Sequence, residues 1–167
     1  MERKREWLVS QLKALQQDNC LSPLVDFILE IILKKESEKI ILNLITDDDV
    51  TTLNCKTEIT NFAFCFWIKG QNRFSFFVED REILDEFLKT EEESKECIQF
   101  VTTVLSNNLE IETYRSIKNN KVFRRIFRYF IIDQSGKPIL FEDKLSLGVN
   151  FFWNKTIIDK KVISPLL

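Results

Sequence analysis

The stretch Phe62-Ala63-Phe64-Cys65-Phe66-Trp67-Ile68, followed by Lys69-Gly70-Gln71-Asn72 and then Arg73-Phe74-Ser75-Phe76-Phe77-Val78, decides how the chain folds. At a period of two, Phe62, Phe64, Phe66 and Ile68 fall on one side of a strand and Ala63, Cys65 and Trp67 on the other. A strand that is apolar on both sides belongs inside a sheet. Residues 69–72 predict a four-residue loop that returns the chain antiparallel to itself.

Working outward from this hairpin, the period before it changes from 3.6 to 2. Residues 2–17 predict a helix with Trp7, Leu8, Leu12 and Leu15 on one face. Ser22 followed by Pro23 predicts the start of a second helix, with Leu24, Phe27, Ile28, Ile31 and Ile32 turned inward and Lys34 and Lys35 at its end. Residues 39–45 and 50–59 predict strands. In the second, Leu53, Cys55 and Ile59 share one face and Thr52, Asn54, Lys56 and Glu58 the other.

Beyond the hairpin, Asp80 suits the N-cap of a helix carrying Ile83, Leu84, Phe87 and Leu88, and Thr90 with Glu93 forms a capping-box pattern. Cys97, Ile98, Val101, Val104 and Leu105 continue the apolar stripe. Residues 109–117 and 122–132 predict a second hairpin, 138–142 a short strand and 149–158 a last one. The expectation is an α+β fold in a single domain, 1–167. Two N-terminal helices precede a mostly antiparallel sheet of six to seven strands, with a helix over 81–106 inserted and packed on one face.

Composition narrows the function. The chain has 167 residues, 44% hydrophobic and 30% charged, enough for a sizeable core, and its net charge of −2 gives no positive field to recruit nucleic acid. Histidine is absent, which removes the commonest general acid/base and metal ligand. Gly70, Gly136 and Gly148 are too scattered for a nucleotide-binding loop, so no cofactor is expected. Cys20, Cys55, Cys65 and Cys97 lack CxxC spacing. The last three lie among apolar residues and read as buried free thiols, which suits a reducing cytoplasm. Neither a secretory signal nor a membrane span is read, and no membrane partner is expected. The fifteen phenylalanines read first as core. A minority with Trp67 and Trp153 is the alternative, lining an apolar ligand pocket. Ser10, Ser94 and Ser106 read as helix-surface residues.

Three groups of residues carry possible chemistry. Arg124, Arg125 and Arg128 interleave with aromatics on one strand and suit RNA bases and phosphates. The structural reading, which is favoured, pairs these arginines with Glu110 and Glu112 on the neighbouring strand. Asp133, followed by Glu142-Asp143-Lys144, resembles the PD-(D/E)xK nucleases. The resemblance implies Asp133 and Glu142 as Mg²⁺ ligands and Lys144 as the catalytic lysine, although the order of elements around them departs from that fold. Acidic clusters at Asp47-Asp48-Asp49 and Glu91-Glu92-Glu93 read either as solvated turn and helix-start carboxylates or as contacts for a basic partner.

One small acidic domain without a catalytic constellation is similar in general character to bacterial immunity proteins. That similarity implies occlusion of a basic toxin or nuclease, with carboxylates standing in for phosphate. The expected function is therefore non-catalytic binding of another protein. A metal-dependent nuclease, an aromatic-pocket binder and an RNA binder are the alternatives. Self-association through the edge of the hairpin at 109–132 is left open.

Overall fold

The computed structural model describes residues 2–14, 20–34, 40–47, 50–57, 62–69, 72–147 and 156–166. The chain is α+β, with three helices and two antiparallel sheets among the described residues. It divides into two compact units, Met1–Ile98 and Gln99–Leu167.

The first unit holds α1 (Glu2–Ala14), α2 (Ser22–Lys34) and strands β1 (Ile40–Asp47), β2 (Val50–Thr57), β3 (Ala63–Lys69), β4 (Arg73–Val78) and β5 (Arg81–Phe87). The strands pair in sequence order, each antiparallel to the next, so β3 is the middle strand as its two apolar faces require. Registers Leu53↔Phe66, Phe66↔Phe76 and Phe76↔Leu84 carry one apolar row across the sheet. On that face Phe66 lies 5.3 Å from Phe76 and 6.2 Å from Phe74 between ring centroids, with Phe64 edge-on at 5.7 Å. Most of the alternating residues of β2, Thr51, Leu53, Cys55 and Thr57, are buried as the period predicts. The β3–β4 loop is one residue shorter than read, because Lys69 pairs with Arg73, and Asn72 closes it at φ 61°.

In α2, Leu24, Val25, Ile28, Leu29 and Ile31 are buried and Phe27 is half-buried, so the inward face is rotated slightly from the expected one. In α1 Leu12 is fully buried, but Trp7 is exposed. Of the positions named from the sequence, Leu15, Lys35, Glu58 and Ile59 lie outside the described residues.

The helix expected over 81–106 is the main correction. Residues 81–87 form β5, and only Glu91–Leu105 is helical (α3). Ile83, Leu84, Phe87 and Leu88 do match a helical repeat, but pairing with β4 wins. Arg73 Nε donates to Asp85 Oδ1 at 2.8 Å, the other guanidinium nitrogen is bonded to Oδ2, and Ser75 Oγ donates to the same carboxylate at 2.6 Å. Three groups on two strands thus fix β5 as extended chain. The turn before it, Glu79-Asp80, sets a glutamate at φ 53°, where sequence reading expects glycine or asparagine. The box Thr90/Glu93 does form and starts α3: Glu93 Oε2 accepts from the backbone N–H of Lys89 and Thr90, and Thr90 Oγ1 accepts from Glu93 N. Ser94 is fully buried, not on the surface, and its Oγ donates to the Cys20 carbonyl.

The second unit continues α3 and adds β6 (Leu109–Ser116), β7 (Val122–Ile132), β8 (Pro138–Ser146) and β9 (Thr156–Ile163). Its sheet runs β8-β7-β6-β9. The expected single sheet of six to seven strands is thus two sheets, of five and four. The hairpin at 109–132 is the interior of the second sheet and presents no edge. Leu109, Ile111, Phe127, Tyr129 and Ile163 are buried, and Phe100 of α3 meets Tyr129 edge-on at 6.2 Å. The β7–β8 connection is a tight loop in which Gly136 N donates to Asp133 O and Gly136 takes φ 79°. Strand β8 runs four residues beyond the expected 138–142; of the strand expected over 149–158, residues 149–155 lie outside the described residues, and 156–158 belong to β9, which runs on to Ile163.

Phe66→Ala is expected to cost about 3–5 kcal/mol of stability in chemical denaturation, as for other fully buried phenylalanines. Phe87→Ala, on the exposed side of β5, should cost less than about 1 kcal/mol. A large loss at Phe87 would restore the helical reading of 81–87.

Candidate functional site

The densest polar group is on one face of the second sheet, where the registers Glu110↔Arg128, Arg128↔Glu142, Glu110↔Val162 and Glu112↔Lys160 bring charges from four strands together. Arg128 is the hub. Its Nε donates to Glu142 Oε2 at 2.7 Å, and its Nη1 lies 3.0 Å from Glu112 Oε1 and 3.8 Å from Glu110 Oε2. Lys144 Nζ lies 2.8 Å from the other oxygen of Glu142, and Lys160 Nζ 2.8 Å from Glu110. Tyr114 donates its hydroxyl to Glu112 at 3.1 Å, and Arg124 sits over the Tyr114 ring at 5.5 Å. The guanidinium holds the Glu112 carboxyl below its usual value. Lys144 first, then Arg128, does the same for Glu142. The tyrosine is pushed up by its partial desolvation and by the carboxylate it donates to.

This arrangement places the three arginines of the strand. Arg128 pairs with Glu110 and Glu112, as the structural reading expected. Arg124 shares its face, but Arg125 points to the other side of the sheet, next to Leu145 in register. The three arginines therefore form no single basic strip for a nucleic-acid strand.

The set that resembled a nuclease is divided. Glu142 and Lys144 adjoin one another, while Asp133 is five residues beyond the register of Glu142, on the order of 15 Å along the strand. Asp133 instead stabilises its own turn. Its Oδ1 accepts from Ser135 N at 2.9 Å, Ser135 Oγ at 2.7 Å and Lys137 N at 2.8 Å, which holds its carboxyl below the usual range. The three residues do not converge on one ion. Among the described residues no cluster of three or more Asp, Glu, Cys or His side chains suits a metal.

The acidic clusters belong to the first unit. Asp47 ends β1 and is exposed, and Asp48 and Asp49 lie outside the described residues. Glu91 and Glu92 are exposed in the first turn of α3, with Glu92 Oε2 3.3 Å from Lys95 Nζ, and Glu93 is engaged by its capping box. The antiparallel registers put the end of β1, the start of β4 and the end of β5 at the same end of the sheet. Asp47 and Phe87 are there four strand spacings apart, roughly 19 Å. Asp47 thus stands at the end of the sheet from which the chain leaves β5 for α3, which begins at Glu91.

The thiols are free, and Cys55, Cys65 and Cys97 are buried as expected, with Cys20 half-buried. Burial pushes Cys65 up to about 11 and Cys97 up to about 12, so neither is a thiolate near neutral pH. Phe62, Phe64, Phe66, Phe74, Phe76 and Phe127 fill the core, while Phe87 and Phe141 are exposed. Trp67 instead packs on Phe77 at 4.5 Å with Lys69 over its ring at 4.9 Å, and Trp153 lies outside the described residues. Two features escaped the sequence reading. One is the Arg73–Asp85–Ser75 group, whose members are ten and twelve residues apart in the chain. The other is the exposed apolar run Ile139-Leu140-Phe141 on β8, whose unbroken apolar sequence reads like a buried strand.

Arg128→Met is expected to lower stability by about 1–2 kcal/mol at pH 7, because Glu110, Glu112 and Glu142 then face each other without their common cation. The carboxyls are depressed in the folded state, so this contribution is complete above their ordinary value of 4.5 and is lost as pH falls through the depressed values. Denaturation of both proteins from pH 7 to pH 2 should show the gap closing on the acid side. A gap independent of pH would assign the loss to packing alone. Comparison with known protein families, with characterised proteins and with solved structures finds no match to this chain.

Proposed function

We propose that this chain is a non-catalytic protein-binding domain. In this reading the acidic end of its first sheet meets a basic partner, in the manner of an immunity-type protein that occludes a toxin or nuclease. One observation carries the reading: the groups with most chemical potential are already engaged within the fold. Glu142, Lys144 and Arg128 neutralise one another, and Asp133 closes its own turn. What faces solvent is suited to recognition: Asp47, Glu91 and Glu92, with large apolar side chains such as Ile41, Ile45 and Phe87 elsewhere on the same unit. Asp48 and Asp49 join the candidate contacts on sequence grounds, and Glu93 contributes as the cap that orders the turn. The proposed setting is a reducing cytoplasm, consistent with four free thiols. No helix among the described residues is long and apolar enough to cross a membrane.

The two acidic groups stand on different elements, β1 and α3, so each should contribute separately. The test is capture by the tagged protein from the cytoplasm of its native cell, at low and moderate salt, with mass spectrometry. One basic protein retained near stoichiometry, weakened about tenfold by Glu91→Lys with Glu92→Lys and independently by Asp47→Lys, is the expected result. A cytoplasm that yields no partner in either buffer, or a partner indifferent to both reversals, would overturn the reading.

A further inference from the structure

We infer that the free edge of β8 pairs antiparallel with the β8 edge of a second copy, joining two four-stranded sheets into one. The inference concerns the second unit and does not depend on the reading above.

Strand β8 is nine residues long and, among the described residues, is bonded on one side only, to β7. Two hydrogen bonds fix which residues face which way. Asp133 N donates to Lys137 O and Leu147 N to Phe123 O, so the odd-numbered residues of β8 turn their backbone groups toward β7. Leu140, Glu142, Lys144 and Ser146 therefore present N–H and C=O groups outward, and Pro138 presents a carbonyl alone. The β7–β8 register runs without a bulge from Arg124↔Ser146 to Ile132↔Pro138, unlike the β6–β7 and β4–β5 pairs. Ile139, Leu140 and Phe141 are 44%, 58% and 43% exposed. A long, regular, apolar edge of this kind is a template for another strand.

The sequence of the edge selects its own copy. In a two-fold antiparallel pair, outward residues must oppose outward residues, which leaves few registers. With the axis at Asp143, Glu142 opposes Lys144 of the copy and Leu140 opposes Ser146, each pair exchanging two backbone hydrogen bonds. On the other face Phe141 meets Leu145 and Ile139 meets Leu147. Glu142 meets Lys144, Phe141 and Ile139 meet leucines, and every outward N–H is used, with Leu140 against Ser146 the one apolar–polar pair. An axis at Glu142 places Phe141 against Asp143, and one at Phe141 places Ile139 against Asp143. An axis at Leu140 shortens the overlap and sets Pro138 opposite Glu142. The other edge, β9, would bring Lys160 onto its own copy when its apolar residues are matched, with a lysine as its neighbour at 161. The preferred β8 register sets Asp143 opposite itself on the axis, and that position gives the test its handle.

Sedimentation velocity over a range of concentrations should show a reversible monomer–dimer equilibrium, weak because a single strand pair is a small interface. Leu140→Lys should give a monomer with an unchanged circular dichroism spectrum. Because that variant changes an exposed strand residue and its fold is at some risk, oxidation of single-cysteine additions supplies an independent readout. Asp143→Cys should yield a covalent dimer on non-reducing gels beyond the wild-type background, since residues on the axis lie within disulfide reach. Phe141→Cys, displaced from its copy by the register, should not. A monomer at all concentrations with no crosslink at 143, a dimer unaffected by Leu140→Lys, or equal crosslinking at 141 and 143 would each overturn the proposal.

Discussion

The stacking of Phe66 on Phe74 and Phe76 is the contact on which the first unit's sheet depends. It spans β3 and β4 and lies on the same face as Leu53 of β2 and Leu84 of β5, so one row of side chains ties four strands to one core. The opposite face of β3 carries Cys65 and Trp67, also apolar. A strand with two such faces has only one low-energy place, between neighbours on both sides. Once β3 is central and consecutive strands are joined by short turns, the meander β1-β2-β3-β4-β5 is the simplest topology that follows.

That constraint also explains why β5 is a strand although its own sequence repeats like a helix. An isolated helix of this length has a costly nucleus and is marginal in water. Extended against β4, the same residues place Leu84 opposite Phe76 and Asp85 opposite Ser75, and the carboxylate takes two guanidinium bonds and a hydroxyl bond. The guanidinium holds the Asp85 carboxyl well below its usual range, a sign that the folded state binds the charged form. The local pattern and the long-range pairing disagree here, and the pairing prevails because it satisfies both an apolar row and a polar group at once.

Legibility followed the range of the interactions. The first hairpin, the boundaries of β7 and the capping box of Thr90 and Glu93 were readable because their causes lie within a few residues. So was the partnership of Arg128 with Glu110 and Glu112, because a tight loop fixes which residues of a hairpin can meet. The division into two sheets was not readable, since nothing in the composition of residues 88–108 distinguishes a helix inside one domain from a helix shared by two units. The Glu142/Lys144 pair shows the same limit in the candidate site. Two charges spaced by two on a strand serve equally as metal ligand with lysine or as one rung of an ion-pair ladder. Only the identity of the strand alongside, with Arg128 opposite Glu142, separates the two.

The ladder has a structural consequence beyond neutralising those charges. Glu142-Asp143-Lys144 reads in sequence as the polar end of a short strand, which is why 138–142 is the extent that the sequence predicts. Arg128 and its neighbours on β7 instead give those residues partners, and pairing continues to Ser146. Charge that would normally stop a strand has lengthened it. The usual devices that blunt an edge are a bulge, a lysine in the centre or a proline facing outward. On β8 proline stands only at the first residue, and Lys144 is paired with Glu142 of the same strand. The interaction that stabilises the sheet internally thus also makes β8, the outer strand of the sheet among the described residues, long and regular.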